Sequence, residues 1–578
     1  MFNPSHLLGI FSAFNASHFE TLDFTALAGA AQPNRLGGVV QMRPFAIKDG
    51  GVDSLAQRER KVEGAELNVG PMSSQGTIRV RPNGKLLFVA SARQAYMNLL
   101  YGKWLDFDGS PLRYSFGDYN VTLSYRPSMR HRFDLNAYFG QDRASYTEGA
   151  HLMHVRLNWL NYAAEAFWRV MNKSWQLTQR LVASGYQNDF RLRQAGQKMS
   201  LPSHIRQYGY QAEWNCNSWQ IGGSYSLYQI LPQSPQIEST YTQIEADRQE
   251  KGVAHEANVY AGWQYGWHDG QWVLKPEGRV TYYRDVDQKS WFSISPMLTL
   301  SWQAAPRHCL GVQLSVANQY VQQTGFTSLG LPTEFWFSAS RELKPQRAEG
   351  LSLLYDGQTP NNAWAFTANA YVKRLHHQKE YKDNVLDLIN EAYSLNTSLL
   401  QGRGLNYGFG VQLTRQSGPV TGWVGYAFGR SLRKFPKLRE RSSYPANHER
   451  VHEFNLVATW QALKRVTFTC SAVFASGTPF TSANEFYLMN GYVVAQYGKH
   501  NECHLPWYKR VDMAVNVDLK QKRRRHFRHG FNVSLFNAFG FNNPLFYRLR
   551  IRRDGNFRFA PVCFLKYPLP SFSYYIKY

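Results

Sequence analysis

The sequence predicts an all-β chain, a transmembrane antiparallel β-barrel of about 22 strands. Three observations predict it. Aromatic residues make up 15% of the 578 residues, yet mean hydropathy is −0.45. A barrel reconciles the two, because lipid-facing and lumen-facing side chains alternate and average out. Tight turns recur roughly every 36 to 60 residues along the chain, a period that holds two strands of ~10 residues and one long loop. Finally, the chain ends on an alternating strand with no polar tail, Pro570 to Tyr578. No run approaches the ~20 apolar residues that a spanning helix needs.

From the N-terminus, residues 1 to 60 differ in texture from the rest. They contain two Gly/Ala/Pro turns and a short apolar strand, Gly37 to Arg43. Leu7 to Phe19 is the longest apolar candidate. It is broken by Ser12, Asn15, Ser17 and His18 and has no basic leader, so it does not read as a signal peptide.

From Val62 onward the pattern is strand, tight turn, strand, long polar stretch. Ten tight turns are legible: Pro82 to Lys85, Arg126 to Arg130, Met171 to Ser174, Asn215 to Ser218, His268 to Gly270, Ala304 to Arg307, Gly357 to Asn362, Gln416 to Pro419, Gln461 to Arg465 and Gln521 to Arg525. Each places Gly, Pro, Asn, Asp or a charged cluster between alternating runs. Ten such turns join twenty strands in pairs, and a first and a last strand with free ends make twenty-two.

Two strands indicate their faces. Val511, Met513, Val515, Val517 and Leu519 alternate with Asp512, Ala514, Asn516, Asp518 and Lys520; Val466, Phe468, Cys470, Ala472 and Phe474 alternate with Thr467, Thr469, Ser471 and Val473. The first set of each is expected to face lipid and the second the lumen. A soluble sandwich would show the same alternation between core and water. Trp214, Trp219, Trp267 and Trp272 flank two of the turns, which suits an interfacial girdle. In the last strand Phe572, Tyr574, Ile576 and Tyr578 share one face, and pairing with the first strand would close the barrel and remove an exposed edge.

Sixty-five Lys and Arg against 41 Asp and Glu give a net charge of +24, spread along the chain. Solvated loops and membrane interfaces account for that spread, and a cationic lumen attracting anionic ligands is the sharper alternative. No nucleic-acid-binding module is present. The run Gln521 to His526 with Arg528 and His529 reads as a turn beside lipid headgroups. Cys216, Cys309, Cys470, Cys503 and Cys563 have no metal-ligand spacing; Cys503 and Cys563 fall in outer loops, where a disulfide is conceivable. His376-His377 alternate faces on a strand, which disfavours joint metal binding. His500 with Cys503 and His504 is the other cluster weighed for a metal, against an ordinary loop contact. Asp512 and Asp518 are expected to join a lumen hydrogen-bond network. No catalytic constellation, phosphate-cradling loop or nucleotide fingerprint is found, so neither an enzyme nor a cofactor or metal site is expected.

Several stretches resemble a known family. Asn3 to Gly9 with Phe11 to Asn15, Arg35 to Arg43, Ser91 to Leu100, Leu329 to Trp336, Leu343 to Arg347 and Gly402 to Gly408 come in the family's order. So do Ser476 to Phe480, Leu505 to Asp512, Phe536 to Pro544 and Pro570 to Tyr578. Together they resemble TonB-dependent outer-membrane receptors of the kind common in Bacteroidetes. The resemblance implies a remnant of a plug domain at 1–60 and an outer-membrane barrel at 61–578, without signal peptide, TonB box or most of the plug. It implies uptake of a scarce ligand (siderophore, cofactor or oligosaccharide) across the outer membrane of a Gram-negative bacterium. It also implies as partners outer-membrane lipid and lipopolysaccharide, the barrel-assembly machinery, the TonB complex for a full-length form, and a surface lipoprotein. A passive pore and a barrel that binds or adheres through its loops are the alternatives.

Overall fold

The computed structural model describes the chain except residues 4, 7–13, 28, 48–61, 103–105, 108–109, 149–152, 195–196, 234–235, 240–250, 326–333, 382–394, 437–441, 490–491, 521–526, 552–556 and 564–565. One closed antiparallel sheet dominates it. Twenty-five hydrogen-bonded segments make up this sheet. Three of them, Gln236–Ser239, Tyr265–Trp267 and Tyr444–Pro445, are short annexes to longer strands. The other twenty-two circle the barrel, in agreement with the count read from the turns. We number them one to twenty-two in chain order.

Strand one, Val62–Val69, pairs on one side with strand two, Ser73–Asn83, and on the other with strand twenty-two, Leu569–Lys577. Glu66 lies opposite Lys577 and Val69 opposite Tyr574. This pairing leaves the sheet without an edge. Phe572 and Tyr578 are exposed on the outer surface, whereas Ser573 and Tyr575 are buried.

Sidedness is clearest in strand four, Arg113–Tyr125. Tyr119, Val121, Leu123 and Tyr125 are exposed, and Asp118, Asn120, Thr122 and Ser124 are buried. Polar side chains inside and apolar ones outside invert the order of a soluble sandwich, and suit an outer face that meets hydrocarbon. At the tight-turn end an aromatic belt runs across neighbouring strands. Trp219, Trp263, Tyr265, Trp267, Trp272 and Trp302 follow one another with ring centroids 5.3 to 6.1 Å apart. Amphipathic rings favour that depth at a bilayer surface.

The turns work through backbone conformation. Asn217, His268, Asp269, Asn362 and Gly418 all have positive φ, the left-handed geometry that tight hairpins need. The tenth turn falls on residues 521–526, outside the described residues; the strands on either side pair from Met513 with Leu535 to Asp518 with Gly530.

Three details correct the sequence reading. The strand expected over Val511 to Lys520 runs from Tyr508 to Asp518, and Val511 is buried rather than lipid-exposed. Just past strand twenty-one, Ala538 N–H donates to the Val511 carbonyl at 2.7 Å and carries the pairing of the two strands to this end. Ala472, placed on the lipid face, is likewise buried. All five cysteines are free. Cys503 and Cys563 sit in separate loop ladders, opposite Phe480 and Pro544 respectively.

Candidate functional site

The barrel lumen holds the N-terminal segment, and polar wall residues tie it down. Near its start, His6 lies between two carboxylates. Its Nδ1 is 2.8 Å from Asp142 Oδ2 and its Nε2 is 3.5 Å from Asp118 Oδ2. Tyr114 hydroxyl donates to Asp142 Oδ1 at 2.7 Å, Trp159 Nε1 donates to Asp142 Oδ2 at 2.5 Å, and Arg93 Nε donates to Asp118 Oδ2 at 2.7 Å. Burial works against a charge on His6, but the two aspartates outweigh it and raise its pKa. Asn161 Nδ2 donates to the carbonyls of Phe2 and Asn3.

Further on, His18 is held by neutral partners. Its Nε2 is 3.0 Å from Thr122 Oγ1 and its Nδ1 is 3.0 Å from Ser91 Oγ. Burial without a counter-charge lowers its pKa to about 4. When the segment leaves the wall, His18 returns to its ordinary value of 6.5. The released state therefore binds the extra proton first. Docking is strongest above pH 6.5 as far as this group is concerned, and weakens by about 3 kcal/mol as pH falls to 4. We expect the protection factors of residues 19–25, taken against the unstructured exchange rate at each pH, to fall between pH 6 and 4, and His18→Gln to remove that dependence.

Residues Phe19–Thr25 and Val39–Pro44 form a two-stranded hairpin. The turn between them reaches the far wall. Lys373 Nζ donates to the carbonyls of Ala26 at 2.9 Å and Leu36 at 3.3 Å. Arg279 donates through Nε to the Ala30 carbonyl at 2.7 Å and through Nη1 to Asn34 Oδ1 at 3.0 Å, and its Nη2 also reaches the Gln32 carbonyl. Asn34 Nδ2 in turn donates to Glu256, Asn258 and Thr281. Thr122 belongs to strand four and Lys373 to strand fifteen, Trp364–Tyr381. These strands lie half-way round the barrel from each other, so residues 18 to 26 cross the lumen. Arg279→Ala strips acceptors of a buried charged donor and is expected to loosen residues 26–36 by about 2 kcal/mol. Hydrogen exchange of that turn checks it; unchanged protection would show the arginine to be dispensable.

A loop closes over the start of this segment. Val321–Thr324 pairs with Phe335–Ser338, and Phe335 and Phe337 are fully buried. Trp336 meets Phe2 edge-to-face, with ring centroids 5.0 Å apart. Asn3 Oδ1 accepts from Gln323 Nε2 at 2.8 Å and from Trp336 Nε1 at 2.9 Å. Tyr283, stacked on Tyr320 at 4.6 Å, bonds Ser338 Oγ at 2.7 Å.

The residues singled out in the sequence do not converge on this assembly. Asp512 pairs with Arg510 at 2.7 Å and Asp518 with Arg528 at 2.6 Å, and Tyr575 hydroxyl donates to Asp518 Oδ1 at 2.7 Å. His377 lies in a bulge, with positive φ, and contacts the Pro345 carbonyl; His376 faces Glu349. His500 packs edge-on against Tyr444, while Cys503 and His504 pair with Phe480 and Pro479. Among the described residues no three His, Cys, Asp or Glu side chains are grouped as a metal ion would require. The wall groups that hold the segment, Asp118, Asp142, Arg279 and Lys373, escaped the sequence reading. The available signal was a charged residue in the middle of an alternating strand, as in Arg279-Val280-Thr281-Tyr282.

No protein-family model matches the sequence, and no curated protein matches it. Solved structures do match. The siderophore receptor PiuA from Acinetobacter baumannii aligns over 97% of this chain and 86% of its own, with a TM-score of 0.64 and 10% identity. The FrpB iron transporter from Neisseria meningitidis aligns over 97% and 87%, with a TM-score of 0.64 and 10% identity. The ferripyoverdine receptor of the outer membrane of Pseudomonas aeruginosa aligns over 94% and 74%, with a TM-score of 0.61 and 9% identity. At such identities the likeness is one of fold, and this chain has the fold of those outer-membrane receptors.

Proposed function

We propose that the protein is an outer-membrane receptor of the TonB-dependent kind that takes up a scarce ligand: a siderophore, cofactor or oligosaccharide. One observation carries the reading. A segment of the chain is tied by hydrogen bonds inside a closed twenty-two-strand barrel, the arrangement of a plugged transporter rather than an open porin. The structural neighbours, a siderophore receptor and an iron transporter among them, support transport over catalysis. In this reading residues 1–60 are the late part of a plug and residues 61–578 are the barrel. An inner-membrane TonB complex supplies the pull in a full-length form. The assembly machinery inserts the barrel among outer-membrane lipid and lipopolysaccharide, and a surface lipoprotein is a candidate cap.

Deleting the gene in its Gram-negative host is expected to abolish uptake of one radiolabelled ferric chelate or labelled oligosaccharide, with the protein found in the outer-membrane fraction. Unchanged uptake across such a panel would count against the receptor. Large steady openings of the purified barrel in a planar bilayer would favour a passive pore instead.

A further inference from the structure

The outer face of strands four to eight carries charge at one end only. Strands five to eight are His131–Glu148, Met153–Met171, Trp175–Gln194 and Gln197–Cys216. Backbone register carries the outward face across them. Tyr119 lies opposite Phe139, Phe139 opposite Tyr162, Tyr162 opposite Gly185 and Gly185 opposite Arg206. Counting by twos from these positions, Arg113, Arg143, Arg156, Arg191, Arg193 and Arg206 all point outward, and all are exposed. Each lies in the half of its strand nearer the long loops. The carboxylates of the same strands point the other way: Asp118, Asp134, Asp142, Glu165 and Glu213 take inward positions. Among the described side chains Asp189 is the one carboxylate on the outer face, and Arg191 pairs with it at 2.6 Å. The other arginines of the group have no ion pair among the described residues.

The ladder also sets like charges against each other. Arg156 lies directly opposite Arg191, and Arg193 lies between His154 and Lys198. Like charges so placed destabilise a sheet, and an anion seated between them reverses the sign. Below the arginines the face turns apolar. On strand six the outward positions from Trp168 to Leu160 cover ~27 Å of strand, or ~20 Å of height at a ~40° tilt. Arg156 stands four residues further, ~10 Å higher, at the depth of headgroups rather than of hydrocarbon. Within the apolar band Leu135, Ala166, Leu181 and Tyr210 line a hollow of about 560 Å³. A cationic crest above an apolar hollow complements a lipid whose headgroup bears more than one phosphate, since the guanidinium fork matches phosphate oxygens. We infer that this face binds a phosphorylated glycolipid of the outer leaflet, its phosphates on Arg156, Arg191 and Arg193 and its acyl chains over the hollow. The inference rests on the outer-membrane setting proposed above and gives lipopolysaccharide a definite site there. It draws on no step of uptake.

The test uses the full chain folded in a neutral detergent, with diphosphorylated lipid A as the probe and native mass spectrometry reading the bound lipid. Arg156→Glu is expected to weaken binding about tenfold or more, and Arg206→Gln about threefold. Arg156→Glu also turns a like-charge pair with Arg191 into an opposite-charge one. Without lipid A it is therefore expected to melt no lower than the parent, which separates a lost ligand contact from a lost fold. Unchanged affinity in Arg156→Glu would overturn the site. Lys173→Glu makes the same charge change in an exposed turn at the other end of the barrel and is expected to bind like the parent. An equal loss there would make the effect one of net charge and overturn the site as well. Lipid A stripped of its phosphates, and phosphatidylglycerol at the same mole fraction, are each expected to bind about tenfold more weakly. Equal binding of phosphatidylglycerol would overturn the glycolipid in favour of any anionic lipid. Cold-gel mobility reports folding; should Arg156→Glu not fold, Arg193→Gln takes its place with the same expected direction. None of these outcomes depends on whether deleting the gene abolishes uptake, so this inference and the receptor reading fail separately.

Discussion

Gly530→Val is expected to leave most of the protein unable to close its barrel. Gly530 sits in strand twenty-one, Arg528–Phe536, paired with Asp518 on one side and Tyr575 on the other. A Cβ at this position would lie 2.2 Å from the Val517 carbonyl oxygen and 2.6 Å from the Tyr575 hydroxyl. The carbonyl belongs to a paired strand and cannot retreat without breaking the ladder. The ring cannot retreat freely either, because its hydroxyl donates to Asp518 Oδ1 at 2.7 Å. Strand twenty-two follows and must meet strand one to remove the sheet's edges, so a distortion here falls on the last step of closure. The cost is about 3 kcal/mol or more, combining overpacking and displacement of backbone. The folded fraction is read from the faster migration of an unheated barrel on a denaturing gel. Gly278→Val is the control, since nothing lies within 4 Å of a Cβ there; it is expected to fold like the parent. Equal folded fractions for the two variants would sink the view that the Tyr575 ring over Gly530 is needed at the seam.

Much of this wall was legible because its physics is local. Alternation decides which side of a strand meets lipid, and turn residues decide where the chain reverses. Asn217, Asn362 and Gly418 adopt the left-handed conformations their residue types permit, and they mark turns that were read from sequence. The closing pair was legible for a related reason: an alternating terminal strand has to find a partner. What failed was non-local. Nothing in the pattern of Val511 says that its side chain will be buried. Nothing near Arg279 says that the carbonyls of Ala30 and Gln32, some 250 residues away in sequence, will need its donors. A buried lumen charge and a solvated one look alike in an alternating strand; only the partner distinguishes them. The hairpin strand Phe19–Thr25 was missed although Leu22 and Phe24 alternate with Thr21, Asp23 and Thr25, the same period of two that was read as strand elsewhere in the chain.

The second large effect is expected at Asp142→Ala, and it concerns the segment rather than the wall. The carboxylate accepts from Tyr114, Trp159 and His6 at 2.5 to 2.8 Å. Removing it leaves three buried donors without this acceptor, one of them on a ring that the acid helps to keep charged. Breaking a buried charge pair from one side costs about 3 to 5 kcal/mol. Strand five, His131–Glu148, is held along its length by strands four and six, so the barrel is expected to persist while residues 14–27 lose protection from exchange and from protease. The pH dependence separates this from a general loss of stability. His6 has a raised pKa in place, so its contribution is complete below its ordinary value of 6.5 and is lost as pH rises through the raised one. The parent segment should therefore loosen on the alkaline side of that value. Asp142→Ala should start loose and show a much smaller step, and Asp142→Asn, which keeps an acceptor for Tyr114 but not the charge, should fall between them. If exchange at residues 14–27 were the same in all three proteins at every pH, the His6 contact would be incidental and the segment would be held from the Arg279 side alone.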